Sequence, residues 1–269
     1  MDRTYVVTGA ASGIGAATTH YLRERGGRVV TCDLHDADVI GDLSASEGRA
    51  AVIDGVTRLL AGRIDAIVAN AGGGPPETSV SLNFFGAVAT LEGLRPLLKT
   101  SPAPRAVAAS SIASLKPAEP GLIEACLAMD ESAATAVARN LIATGQGGDL
   151  YGFAKQALNR WCRRAAVASE WAGAGIPLNV VAFGFIDTPA AAPILSNPVL
   201  REQMGRMVPM QAAYPGRAEE AAAILAWCVS SENSIMTGQV LIVDGGAECL
   251  LLGGSKNPYA AMGIKTDRS

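Results

Sequence analysis

The sequence predicts one Rossmann-type α/β domain, a doubly wound parallel sheet with helices on both faces, spanning residues 1–269. Short apolar runs alternate with helical stretches along most of the chain, which is typical of right-handed crossovers between parallel strands. Hydrophobic residues make up 49% of the sequence and aromatic residues only 5%, so the strands consist mainly of Ala, Val, Leu and Ile. A length of 269 residues fits one large α/β domain better than two small ones.

The elements are predicted in order from apolar runs and from the turn residues between them. Runs of β-branched and small apolar residues predict strands at residues 3–8, 28–32, 65–69, 105–109, 177–183 and 240–243. Helices are predicted from the first glycine-rich turn to residue 25 and at residues 45–60, 77–98, 151–172 and 219–229. Gly26 and Gly27 end the first helix and separate it from the second strand.

Three segments fall outside this alternation. Residues 112–149 form a long insertion with a helical stretch at 121–143 and a flexible glycine-rich loop. Residues 189–216 contain several prolines and three methionines and are predicted to be a mobile lid, although ordinary helix packing also explains the methionines. Residues 247–269 form a tail. Segments of this length in a compact domain are usually functional or disordered.

The charge pattern excludes several classes of partner. Lys and Arg number 22 against 25 for Asp and Glu, a net charge of −3. No basic stripe is present, so we expect neither nucleic acid nor an anionic membrane surface as a partner. No apolar run is long enough to span a bilayer, and the N-terminus enters a strand without a signal region. We therefore expect a cytoplasmic protein without a membrane partner.

The cysteines and histidines predict neither a disulfide framework nor a metal site. The five cysteines are scattered and odd in number: Cys32, Cys126, Cys162, Cys228 and Cys249. Reduced thiols are the simpler interpretation. The two histidines, His20 and His35, form no cluster with Cys or carboxylates at ligand spacing, so no metal is expected.

A glycine-rich turn joins the first strand to the first helix. In the run 8–15, the candidates for contact with a cofactor are Gly9, Ser12, Gly13, Ile14 and Gly15. Glycines let the backbone approach a pyrophosphate, and the helix N-terminus supplies free N–H groups. Such a turn can also be merely a tight connection, but here a strand, a helix and a downstream acidic residue accompany it. The context therefore predicts a dinucleotide site.

The acidic residue, Asp33, follows the second strand and precedes Leu34. A carboxylate there can accept hydrogen bonds from the adenine ribose and would repel a 2′-phosphate, which favours NAD over NADP. Ser12 is uncharged, so no cation is present there for that phosphate. The alternative is an ordinary turn aspartate.

Tyr151 and Lys155 open a predicted helix four positions apart, which places both on one helix face. A tyrosine pKa near 10 is too high for a base at neutral pH, but a nearby cation stabilises the phenolate. The spacing alone is equally typical of a solvated helix pair. Its position after the fourth predicted strand of a nucleotide-binding domain favours acid/base chemistry instead.

Together these residues resemble the short-chain dehydrogenase/reductase family over residues 3–246. The matching positions are 8–15, Asp42-Leu43, Asn70-Ala71-Gly72, Asn83, Ser110-Ser111, Tyr151 with Lys155, Gly184 with Thr188, and 244–246. The resemblance implies that Ser111 binds the substrate oxygen, with Ser110 as the less favoured candidate. It implies that Tyr151 is the acid/base, that Lys155 holds the nicotinamide ribose and lowers the tyrosine pKa, and that Asn83 keeps a proton-relay water.

The resemblance also assigns residues to the cofactor. Asp42 and Leu43 would contact the adenine, unless they form only a surface turn. Asn70 would steady the central strands. Ala71 and Gly72 would line the cofactor groove. Gly184, Ile186 and Thr188 would lie on the side of the nicotinamide carboxamide.

Two departures from the family pattern stand out. Phe183 stands where the family usually has Pro; the alternatives are that it faces the nicotinamide or that it packs beneath it, and packing is favoured. Forty positions separate Ser111 from Tyr151, far more than in most members, so an insertion lies beside the pocket or at a subunit interface.

The insertion, with segments 32–49, 109–114 and 147–151, resembles the bacterial 3α-hydroxysteroid dehydrogenases/carbonyl reductases. This implies an NAD-dependent enzyme that interconverts a bulky apolar secondary alcohol, a hydroxysteroid or an aryl alcohol, and its ketone. A homodimer or homotetramer is expected. The alternatives are a non-catalytic NAD-binding sensor or scaffold, and a 3-oxoacyl reductase.

Overall fold

A parallel sheet of seven strands forms the centre of the protein in a computed structural model that describes residues 3–60 and 62–252. The strands are β1 (Thr4–Thr8), β2 (Arg28–Asp33), β3 (Val39–Ile40), β4 (Ala66–Ala69), β5 (Arg105–Ser111), β6 (Leu178–Phe183), β7 (Ile186–Asp187), β8 (Gly216–Arg217) and β9 (Val240–Val243). Their order in the sheet is β3-β2-β1-β4-β5-β6-β9, while β7 pairs with β8 in a separate small sheet. Successive strands are added from β1 towards one edge of the sheet and then from β4 towards the other edge. This switch creates a crevice at the carboxyl ends of β1 and β4.

Helices cover both faces of this sheet, which confirms the predicted architecture. They are α1 (Gly13–Glu24), α2 (Ser46–Leu60), α3 (Pro76–Val80), α4 (Ala87–Leu98), α5 (Pro120–Leu127), α6 (Glu131–Ala143), α7 (Leu150–Ala165), α8 (Ala192–Leu195), α9 (Pro198–Gly205), α10 (Ala218–Cys228) and α11 (Ala247–Leu252). Val6 and Val7 are both fully buried and point to opposite faces of β1. Val6 packs in a cluster with residues of α2, α4 and α7, and Val7 packs in a second cluster with residues of α1 and α10. Within the described ranges, no helix has the length and apolar character needed to cross a membrane.

The predicted helix at 77–98 is interrupted by a different helical geometry. It begins at Pro76, passes through a π-helical turn at Ser81–Gly86 and continues as α4 to Leu98. Such π-turns are rare and occur frequently at functional sites. This turn contains Asn83, one of the predicted catalytic residues.

The predicted helix at 151–172 was too long, because α7 ends at Ala165. The chain then leaves the helix axis and buries Trp171, which is 1% exposed. The Trp171 indole N–H donates a hydrogen bond to the Glu92 carboxylate of α4 at 2.9 Å. A continuous helix would carry this side chain away from α4.

The insertion is part of the core rather than an appendage. The single helical stretch predicted at 121–143 is two helices, because Met129 adopts a left-handed φ of 60° and Asp130 caps α6 by accepting from the Ala133 N–H at 2.9 Å. Leu122 and Leu141 of these helices belong to the same cluster as Val6. Removal of the insertion would therefore expose one face of the main core.

The predicted lid segment contains regular secondary structure, namely α8, α9 and two short 3₁₀ turns. Met204 and Met207 are half-buried, and Met210 is 61% exposed. The mobility of this lid stays a prediction. The tail begins with α11, and its residues 253–269 lie outside the described part of the chain.

Candidate active site

Two glycines of the glycine-rich turn lie too close to neighbouring backbone to carry a side chain. Gly9 has a left-handed φ of 68°, and a Cβ there would lie 2.8 Å from the Ala71 Cα. A Cβ on Gly15 would overlap the carbonyl of Gly9. The Ser12 side chain does not cap α1, so it leaves the first N–H groups of this helix, including that of Ile14, available to an acceptor. The turn is thus a cradle of the kind that binds phosphate.

Asp33 connects the end of β2 to this turn. Its Oδ2 accepts from the Ala11 N–H at 2.8 Å, and its Oδ1 accepts from the Leu34 N–H at 2.7 Å. Leu34 itself is 60% exposed. Asp33 therefore does stabilise a turn, but each of its oxygens keeps a lone pair for a further donor.

The loop after β3 is held by a side-chain hydrogen bond within its turn and by a buried leucine. Asp42 accepts from the Ser44 N–H at 2.8 Å, and the Leu43 side chain is buried in the core. A Cβ on Gly86 would lie 2.7 Å from the Leu43 carbonyl oxygen. The close approach fixes this loop against the π-helical turn, and adenine contact by Asp42 and Leu43 stays a prediction.

Asn70 ties the ends of β1 and β4 together. Its N–H donates to the Thr8 hydroxyl at 3.1 Å and its side-chain amide donates to the Thr8 carbonyl at 3.2 Å. The Ala71 N–H shares the same hydroxyl at 3.1 Å. The next residue, Gly72, leaves room for two functional groups, because a Cβ there would lie 2.8 Å from Asn83 Oδ1 and 3.1 Å from Lys155 Nζ.

Asn83 is fully buried and clamps the loop after β4. Its Oδ1 accepts from the Gly73 N–H at 2.9 Å, and its Nδ2 donates to the carbonyls of Gly73 and Ser79, both at 2.8 Å. The amide group is thus committed to the backbone. The proton-relay water expected at Asn83 stays a prediction.

Ser111 and Tyr151 meet at the carboxyl end of β5. Ser111 is the last residue of β5, and its hydroxyl accepts from the Ala113 N–H at 3.1 Å. Its side chain also interacts with the Tyr151 phenol at the start of α7. The Ser110 hydroxyl is buried and makes no hydrogen bond within the described residues. Of the two serines, it is Ser111 that contacts Tyr151.

Lys155 lies one helical turn beyond Tyr151. Its ammonium donates to the Ala109 carbonyl at 2.8 Å and lies 5.7 Å from the centre of the Tyr151 ring. Burial lowers the pKa of Lys155 to about 8. Burial also raises the pKa of Tyr151, and the hydrogen bond with Ser111 opposes that rise. A lowering of the Tyr151 pKa by the charge of Lys155 stays a prediction.

The segment after β6 returns to the glycine-rich turn. The Gly184 N–H donates to the Val243 carbonyl at 2.9 Å, and Ile186 pairs with Gly216. Thr188 lies against the turn, since a Cβ on Gly13 would be 3.2 Å from its Cβ. Phe183 is 3% exposed and belongs to the α1/α10 core cluster, which agrees with the packing interpretation.

Comparison with protein families decides the class of this site. A short-chain dehydrogenase model described as enoyl-(acyl carrier protein) reductase matches residues 9–248. The chain belongs to the short-chain dehydrogenase/reductase family. It is therefore an oxidoreductase, as the glycine-rich turn and the Ser111–Tyr151 contact predict.

Several relatives of this short-chain dehydrogenase are informative. The 3-alpha-hydroxysteroid dehydrogenase/carbonyl reductase of Comamonas testosteroni is 36% identical, over 91% of this chain and 96% of that protein. The cis-4-hydroxycyclohexanecarboxylate dehydrogenase of Sinomonas cyclohexanicum is 31% identical, over 91% of this chain and 96% of that protein. The crystal structure of the 3-alpha-hydroxysteroid dehydrogenase from Pseudomonas sp. B-0831, complexed with NADH, superposes with a TM-score of 0.85 at 34% identity, over 94% of this chain and 99% of that one. The expected resemblance to hydroxysteroid dehydrogenases is confirmed.

Further residues hold the dehydrogenase site together, and sequence reasoning did not identify them. The buried Gln156 amide donates to the Ser114 carbonyl at 2.9 Å. The buried Asn159 amide donates to the Ser114 hydroxyl at 3.0 Å. The Ser114 hydroxyl in turn donates to the Ser111 carbonyl at 2.6 Å. Gly152 lets α7 approach this turn, because a Cβ there would lie 2.5 Å from the Ala113 carbonyl oxygen. A glycine directly after Tyr151, at the start of a helix, was the available signal.

The buried Lys155 predicts an unusual pH dependence of stability. Below about pH 8 the ammonium is charged in both states, so folding carries the full cost of burying it. Between about 8 and the ordinary value of 10.5 the unfolded state binds more protons, so this cost disappears as the pH rises. Relative to Lys155→Met, the free energy of unfolding of the wild type should rise by about 3 kcal/mol across that interval. Urea unfolding of both proteins at several pH values measures this, and parallel curves would contradict it.

Proposed function

We propose that this protein is an NAD-dependent dehydrogenase/reductase that interconverts a secondary alcohol and its ketone. The observation that carries the proposal is the contact of Ser111 with Tyr151 at the end of β5, with Lys155 one turn beyond. Two hydroxyl groups that meet at one point suit a substrate oxygen that gains negative charge as its proton leaves.

The crevice at this edge of the sheet suits a dinucleotide. The cradle formed by Gly9 and Gly15, with the uncapped start of α1, fits a pyrophosphate. The proposed contacts are Gly9, Ser12, Gly13, Ile14, Gly15, Asp33, Leu34, Asp42, Leu43, Asn70, Ala71, Gly72, Tyr151, Lys155, Gly184, Ile186 and Thr188. When bound, NAD supplies the hydride acceptor for oxidation of the alcohol. The related hydroxysteroid dehydrogenase that was crystallised with NADH supports this choice.

Two side chains of the protein then act on the hydroxyl group of the substrate. Tyr151, as phenolate, takes the hydroxyl proton of the substrate, while Ser111 donates a hydrogen bond to the same oxygen. The hydrogen bond with Ser111 favours the phenolate against the effect of burial, and the charge of Lys155 favours it further. In the reverse direction the Tyr151 phenol returns the proton to the carbonyl oxygen.

The preference for NAD rests on Asp33. Replacement by Ala removes the carboxylate that would accept the ribose hydroxyls and repel a 2′-phosphate. NAD affinity should fall about tenfold, and the discrimination against NADP should shrink. Calorimetry with both cofactors measures this. Asp54→Ala, at an exposed position of α2, is the matched control, and equal NAD affinity in the Asp33 variant and the wild type would refute the assignment.

The substrate we propose is a secondary alcohol on a bulky apolar body, a hydroxysteroid or an alicyclic or aryl alcohol. The elements that follow β6 and β9 expose apolar side chains, with Val199 on α9 at 62% and Leu250 on α11 at 57%. The two curated relatives are named for a hydroxysteroid and a hydroxycyclohexane carboxylate, both ring alcohols. A homodimer or homotetramer stays a prediction.

The test is a panel assay with the purified protein, in which NADH absorbance is followed. The panel contains hydroxysteroids, alicyclic and aryl secondary alcohols, the corresponding ketones and a 3-oxoacyl thioester, each with NAD(H) and NADP(H). Turnover of ring alcohols or ketones with NAD(H) is the expected result. Turnover confined to the thioester would favour a 3-oxoacyl reductase instead. NADH binding by calorimetry without any turnover would favour a non-catalytic NAD sensor.

A further inference from the structure

A buried arginine connects the insertion to the predicted adenine side of the crevice. Arg49 lies on α2 and is 9% exposed. Its guanidinium donates to the Leu43 carbonyl at 2.8 Å and to the Ser44 carbonyl at 3.1 Å. These are the backbone atoms of the loop that carries Asp42 and Leu43. The loop position therefore depends directly on this side chain.

The same guanidinium is held from the other side by the insertion. Glu131, the first residue of α6, accepts two parallel hydrogen bonds from Arg49, both 2.6 Å long. Burial raises the pKa of Glu131, but its hydrogen bonds with Arg49 and Ser81 lower it below the usual range. A paired fork of this kind fixes direction as well as distance. Arg49 and Glu131 lie 82 positions apart, so the pair is a tertiary contact.

The contact also reaches the π-helical turn. Arg49 donates to the Ser81 carbonyl at 3.3 Å, and Ser81 is the first residue of the turn that contains Asn83. One ion pair thus joins the loop after β3, the turn of Asn83 and the insertion.

We propose that Arg49 and Glu131 are positioning residues through which the insertion sets the adenine side of the cofactor crevice. Neither side chain need touch the cofactor. Without the carboxylate, the guanidinium loses its fixed orientation and its bonds to the Leu43 and Ser44 carbonyls loosen. The proposal rests on the proposed function, since it assumes that this loop contacts the adenine.

The experiment measures the binding of AMP and NADH to Glu131→Gln by calorimetry, together with kcat at saturating cofactor. AMP tests the adenine side alone. We expect both affinities to fall about tenfold, with kcat within about twofold of the wild type, because Ser111, Tyr151 and Lys155 keep their contacts. Lys116→Gln is the matched control, since Lys116 forms an exposed ion pair with Asp149 at the base of the same insertion.

The other outcomes separate the two proposals. Unchanged AMP affinity in Glu131→Gln, even with a lower melting temperature, would overturn the positioning role and leave a purely structural ion pair. Should Glu131→Gln not fold, Arg49→Lys is measured by the same criterion; it keeps the charge but loses the fork. Absence of NADH binding by the wild type would instead contradict the proposed function.

Discussion

Replacement of Tyr151 by Phe is expected to lower kcat by about a thousandfold while NADH affinity changes little. Phe keeps the ring beside the Lys155 ammonium but removes the hydroxyl that contacts Ser111. The substrate proton then has no acceptor, and one of the two groups at the substrate oxygen is lost. Steady-state rates with the best substrate of the panel measure kcat, and calorimetry with NADH measures binding.

The control for this variant is Tyr21→Phe. Tyr21 lies on α1 with Arg25 stacked over its ring. Tyr21→Phe therefore loses a hydroxyl outside the proposed catalytic group and should keep the wild-type kcat. A Tyr151→Phe protein with more than about a tenth of the wild-type kcat would contradict the acid/base assignment, since a positioned proton acceptor contributes far more than that.

Gly152→Ala should lower kcat by about a hundredfold. A Cβ at this position would lie 2.5 Å from the Ala113 carbonyl oxygen, closer than real contacts allow. The helix must therefore shift away from the turn that follows Ser111, and Tyr151 moves with it. Alanine is the better helix former by about 1 kcal/mol, so a loss of activity here cannot come from a weaker helix.

Gly148→Ala is the matched control for Gly152→Ala. Gly148 lies four positions earlier in the same segment, and a Cβ there would meet nothing within 4 Å. Its kcat should equal that of the wild type, and NADH affinity should be unchanged in both variants. Wild-type kcat in Gly152→Ala would mean that α7 and the turn can separate without disturbing the contact between Ser111 and Tyr151.

The fold was predictable from sequence because its long strands are apolar on both faces. Their observed bounds differ from the prediction by only a few residues, as in β5, which continues to Ser111. The short strands β3, β7 and β8 have two residues each. Strands of this length have no hydrophobic period to recognise. The end of α7 was missed because a distant contact, from Trp171 to Glu92, draws the chain off the helix.

The site was predictable only in part, for a similar reason. Tyr151 and Lys155 share a helix, so their spacing indicates that they lie on one face. The bond between Arg49 and Glu131 joins residues 82 positions apart, and no local pattern predicts it. Likewise Gln156 and Asn159 look like ordinary polar helix residues until the structure shows both buried against Ser114.

The effect of burial on the pKa values of Tyr151 and Lys155 also could not be predicted from the sequence. Opposite charge at helical spacing suggests that Lys155 lowers the pKa of Tyr151. In the structure the ammonium is directed to the Ala109 carbonyl, and burial raises the pKa of the phenol. The direction of a pKa shift depends on the depth of burial, which spacing does not specify.

The most direct test of hydride transfer between alcohol and cofactor uses the best alcohol of the panel, labelled with deuterium at its carbinol carbon. The NADH formed from unlabelled NAD by the wild-type protein is analysed by mass spectrometry. We predict one deuterium per NADH, with no detectable labelled NADH from Tyr151→Phe over the same time. NADH without deuterium, or labelled NADH formed equally fast by Tyr151→Phe, would contradict the account.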